Sequence, residues 1–156
     1  MIDSNATQAE TRPGAIWNPN AAANWSLLFS PAFGSYLHML NWRALGESDK
    51  AATAKVWFYA SLALLIAYPV IGVLGGDTKE VNGLTRALGL GFLLTWYFTE
   101  GRAQAKYVKD KWGYAYDRKP WLKPLLWGVA AIAGYFVAAA LLGGTLGLLG
   151  FNGGHS

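Results

Sequence analysis

Residues 56–74, VWFYASLALLIAYPVIGVL, decide the fold. No charged side chain interrupts them. A membrane hydrocarbon core of about 30 Å takes roughly 20 apolar residues of helix to cross. The stretch therefore reads as a transmembrane helix, with Pro69 kinking its far end. Composition agrees: hydrophobic residues make up 53% of the 156-residue chain and charged residues only 14%. An ordinary soluble domain carries about 25% charged residues.

The pattern repeats on the C-terminal side. Residues 75–83, GGDTKEVNG, form a tight connection with turn dipeptides at both ends. It is too short for anything but an antiparallel return. Residues 84–100, LTRALGLGFLLTWYFTE, read as the second span. Arg86 and Glu100 near its ends read as anchors that snorkel to the headgroups. They are 14 residues apart, about 21 Å along a helix, so they cannot pair within it. Residues 101–124 form a long polar loop, in which 103–113, AQAKYVKDKWG, read as a short interfacial helix, and 125–149 form the third span. On that span Ala130, Gly134 and Ala138 recur every four residues, followed by Gly143 and Gly147 in a G-x-x-x-G. Small residues at this spacing let helix backbones approach closely. The face packs either against the chain's own spans or against another membrane protein or a second copy.

On the N-terminal side the reading is less uniform. Residues 1–20 are polar, hold Pro13 and Pro19, and read as a disordered tail. No cleavable signal peptide is evident. The membrane domain then covers 21–151, with 152–156 a short flexible tail. Residues 21–40, AAANWSLLFSPAFGSYLHML, are long enough for a span but hold His38 and are broken by Pro31. Ser30 followed by Pro31 predicts an N-cap and a helix running to Leu45, stopped by Gly46. The segment either dips into the membrane and returns or crosses it. Residues 46–55 read as a polar linker, with Ser48 or Asp49 capping the next helix. The fold expected is all-α: an integral membrane protein with three transmembrane helices plus an N-terminal re-entrant or interfacial helix, or a fourth span.

Lys and Arg set the orientation. The 101–124 loop holds Arg102, Lys106, Lys109, Lys111, Arg118, Lys119 and Lys123, whereas 75–83 holds only Lys79. The basic loop is expected in the cytoplasm, the short connection and the C-terminus outside it. With Trp112 and Trp121 beside them, those seven cations read as contacts to anionic lipid headgroups. Basic–aromatic alternation also suits nucleic acid, but a loop flanked by two spans favours lipid, and no nucleic-acid partner is expected.

Catalytic equipment is sparse. There is no cysteine, which removes thiol chemistry, and the two histidines, His38 and His155, are far apart. A zinc site needs three or four ligands. Asp77 and Glu80 flank one turn, while Asp110 and Asp117 sit among cations as counterions. No nucleotide-binding or nucleophile-elbow motif is present. Neither enzyme activity, nor a metal, nor a cofactor is expected. His38 reads as a hydrogen-bonded interfacial histidine.

Residues 18–47, NPNAAANWSLLFSPAFGSYLHMLNWRALGE, together with 106–126, KYVKDKWGYAYDRKPWLKPLL, resemble shared regions of a group of small multi-pass proteins of the bacterial inner membrane. Some proteins of this size and layout are immunity proteins that protect a cell from a membrane-acting toxin delivered by type VI secretion. The resemblance implies a membrane-embedded binding protein whose partner is a cognate toxin. Alternatives are an accessory or assembly subunit of a membrane complex, and a small channel or transporter subunit. The last should carry polar groups at mid-membrane, and the spans at 56–74 and 125–149 hold almost none.

Overall fold

The computed structural model describes residues 14–75 and 78–150. All of its regular elements are helical. The first two helices are α1 (Pro19–Phe29) and α2 (Pro31–Ala44). Asn18 caps α1 by accepting from the amides of Asn20 and Ala21, and Pro19 supplies the first helical position. The chain reverses at Ser30. Its φ of 125° and ψ of 161° lie where side chains are strained, and its hydroxyl makes no capping bond to α2, contrary to expectation. α2 then runs back along α1. A Cβ at Gly34 would lie 1.9 Å from Ser26 Oγ, and His38 and Asn41 hydrogen-bond to Pro19 and Trp17. Residues 21–40 thus lie in a helical hairpin, Pro19–Phe29 and Pro31–Ala44, of 11 and 14 residues. At 1.5 Å per residue neither helix spans about 30 Å, which removes the fourth-span alternative.

α2 ends near Gly46, whose φ of +76° is one that glycine tolerates. α3 (Ser48–Gly75) follows. The expected polar linker is mostly helix, because Ala51 and Ala54 are buried against Met39 and Trp42 of α2. Pro69 lies inside α3 without ending it.

α4 (Lys79–Trp96) starts at Thr78, whose hydroxyl accepts from the Val81 amide. It runs antiparallel to α3: Val81 lies beside Gly75, Gly89 against Tyr68, and the Phe92 and Trp57 rings are 5.4 Å apart. A Cβ on Gly89 would lie 2.4 Å from the Tyr68 hydroxyl, so glycine permits this approach. A π turn (Tyr97–Gly101) joins α4 to α5 (Arg102–Trp112). α5 matches the short helix expected in the basic loop. A loop returns the chain to α6 (Leu122–Leu148). Gly128 of α6 lies under the Phe29 ring, and Tyr135 interacts with Tyr68, so α6 runs parallel to α3.

α3 and α6 are long and apolar enough to cross a membrane. Only 6% of the most apolar 18-residue stretch of each is buried. α4 carries Lys79, Glu80 and Arg86 within its 18 residues and falls short of that standard by composition. The buried residues concentrate at the other end of the molecule. There α1, α2, the first turns of α3, the π turn and α5 form a compact cap.

Residues 14–18 belong to that cap, although composition assigned them to a disordered tail. Ile16 is fully buried. Its amide donates to the Asp117 carbonyl at 3.0 Å, and its carbonyl accepts from the Lys119 amide at 2.9 Å. Trp17 Nε1 donates to the Pro120 carbonyl. The N-terminal segment is therefore a strap clamped by the α5–α6 loop.

Candidate functional site: a buried polar junction and two open faces

The centre of the cap is polar. Asn41 is fully buried and uses its whole amide. Its Oδ1 accepts from the Trp17 amide at 3.0 Å. Its Nδ2 donates to the Trp17 carbonyl at 2.8 Å and to Gln104 Oε1 at 2.9 Å. Gln104 Nε2 donates in turn to the His38 carbonyl at 2.9 Å. Two amides thus join the strap, α2 and α5. Burying such groups is tolerable because each is paired.

His38 lies beside this pair and is fully buried, so it is not the interfacial residue expected. Its Nε2 meets the Pro19 carbonyl at 3.3 Å. A carbonyl only accepts, so Nε2 carries the proton. Burial lowers the ring's pKa from 6.5 to about 4, against the opposing backbone bonds to Pro19 and Glu100. The Trp96 ring packs 5.9 Å away.

Glu100 also departs from expectation. It sits in the π turn, 7% exposed, and accepts from Trp42 Nε1 at 3.3 Å. Burial pushes its carboxyl above the usual range, and the Trp42 bond pulls it back. Five residues in π conformation rotate the strip, and single π turns of this kind are frequent at functional sites. Here Glu100 faces inward at Trp42, while Gln104 of α5 reaches Asn41. Trp42 also stacks edge-on against Tyr107. Tyr107 donates to Glu47, whose carboxyl is held below its ordinary range by Lys50 and Tyr107. No group of three potential metal ligands occurs among the described residues.

The outer side of α5 is basic. Arg102, Lys106, Lys109, Lys111, Arg118 and Lys123 are exposed, while Lys119, Trp112 and Trp121 are half-buried. Lys119 lies over the Trp17 ring at 4.4 Å. Asp110 pairs with Lys106, as a local counterion should. Asp117 is engaged through its backbone carbonyl with Ile16.

On α6, Ala130, Gly134 and Ala138 are exposed, while Gly143 and Gly147 are half-buried. A Cβ added at Gly134 or Gly143 would meet nothing within 4 Å. The Ala130–Ala138 face therefore does not pack on the chain's own helices. The α6 glycine that does so is Gly128, where a Cβ would lie 3.0 Å from the Phe29 ring. Nothing in the small-residue pattern distinguished it. Asp77 and His155 lie outside the described residues. No family model, curated sequence or solved structure matches the chain.

Proposed function

We propose that the chain is a non-enzymatic binding protein of a bacterial inner membrane. α3 and α6 cross the bilayer in the same direction, and α4 crosses back as a third span from about Leu84 to Trp96. The antiparallel α3–α4 pairing supports this, because a helix alongside a crossing helix must return through the same layer. The cap lies at the cytoplasmic face, with the α1–α2 hairpin tip dipping into the headgroup layer. It holds Arg43, Lys50 and Lys55 as well as the cations of the 101–124 loop, in keeping with the positive-inside rule. The π turn, Glu100 and His38 then lie outside the crossing segments.

The observation that carries the binding role is the exposed face of Ala130, Gly134 and Ala138. A furrow of small residues on a helix in lipid invites close approach by another helix. The partner is a membrane-inserted protein, most concretely a toxin that this chain neutralises. Co-expression with a membrane-acting toxin encoded beside it tests the reading. The chain should restore growth. A Gly134→Leu/Ala138→Leu variant should reach the membrane equally well and fail to protect. No protection by the parent chain, or full protection by the variant, contradicts it.

A further inference from the structure

A groove of about 620 Å³ opens between the start of α1 and the outer side of the π turn and α5. Phe98, Arg102, Lys106 and Lys109 line it from the helix, and Tyr114 and Tyr116 from the loop. Lys106 is paired with Asp110. Arg102 and Lys109 have no ion-pair partner among the described residues. The Arg102 guanidinium lies 5.7 Å from the Phe98 ring centre. Two cations without an ion-pair partner among the described residues therefore face an open cleft that Tyr114 and Tyr116 also line.

The surroundings change in one direction along the helix. Leu94 and Phe98 are both exposed, one helical turn apart. They lead from Arg102 onto the apolar surface of α4. Depth is fixed through Trp42. It packs with Ala51 and Ala54, donates to the Glu100 carboxylate and stacks on Tyr107. The groove is thus level with the polar first turns of α3, just outside the charge-free run that begins at Val56. An amphiphile at this depth would meet cations at its head and apolar side chains along its tail.

We propose that this groove binds one anionic phospholipid, with the phosphate between Arg102 and Lys109 and an acyl chain along Phe98 and Leu94. Guanidinium and ammonium groups donate charge-assisted hydrogen bonds to phosphate oxygens. Basic pockets beside spans on the cytoplasmic side are suited to such headgroups. The proposal rests on the membrane placement above and is independent of the toxin reading.

Native mass spectrometry of the full chain from nanodiscs of phosphatidylethanolamine and phosphatidylglycerol tests it. The parent chain should retain one phosphatidylglycerol. Arg102→Gln/Lys109→Gln should reduce retention by about tenfold or more. Arg43→Gln/Lys55→Gln, exposed cations outside the groove and with the same net charge change, should not. Excess inorganic phosphate should leave the lipid bound. Equal loss in both double variants, no loss in the first, or displacement by inorganic phosphate overturns the site while leaving the membrane placement intact. A chain that does not enter nanodiscs overturns both.

Discussion

Asn41 shows how much of the cap depends on single polar side chains. It closes both main-chain groups of Trp17 and holds Gln104. Asn41→Leu would leave those groups buried without partners. Each such group costs about 1–3 kcal/mol, so the variant should lose on the order of 3 kcal/mol of stability in detergent denaturation. A loss below about 1 kcal/mol would show that the junction is not holding the strap. His38 adds a pH dependence. Its pKa in the fold, about 4, is below the 6.5 of the free group. The unfolded chain therefore takes up a proton first as pH falls. Stability is complete above pH 6.5 and declines between 6.5 and about 4, on the order of 3 kcal/mol in all. Thermal melting across that range should show a steeper fall for the parent chain than for His38→Gln. Parallel curves would contradict a neutral buried ring.

At the scale of elements, two glycines should respond in opposite senses. A methyl at Gly34 would meet Ser26 Oγ at 1.9 Å and the Trp96 ring at 2.5 Å, inside the α1–α2–α4 contact. Gly34→Ala should destabilise by about 1–3 kcal/mol through overpacking. Gly134→Ala meets nothing and removes backbone freedom from a helix. It should be neutral or stabilising by up to about 1 kcal/mol. Thermal melting of the two variants decides this, and equal shifts would contradict the contact. The same contrast marks what the sequence could reveal. Charge-free runs located α3 and α6, and the run of cations located the polar segment that holds α5, because apolar and water-facing surfaces differ in composition along the chain. Ala51 and Ala54 were hidden in a polar linker because their burial depends on Met39 and Trp42 of the preceding helix folding back on them. Glu100 and His38 read as interfacial residues, and nothing singled out Gln104. Their partners come from other elements, and the π turn that aims Glu100 inward has no local composition signature.

For the whole molecule, the division of labour is between a tightly bonded cap and three helices that barely cover one another. The cap holds the buried residues, and the most apolar stretches of α3 and α6 remain almost wholly exposed. In the arrangement we propose, lipid covers the apolar surfaces of α3, α4 and α6, and a partner helix takes the furrow on α6. The central claim is thus a crossing arrangement with the cap inside and the α3–α4 connection outside. The absence of native cysteine allows it to be measured without background. Glu80→Cys and Lys109→Cys, both at exposed positions, would be introduced singly into the full chain in bacterial cells. Each would be treated with a membrane-impermeant maleimide before and after opening the inner membrane. Glu80→Cys should label in intact spheroplasts, and Lys109→Cys only after permeabilisation. Labelling of Lys109→Cys from outside, or protection of Glu80→Cys until permeabilisation, would contradict the account.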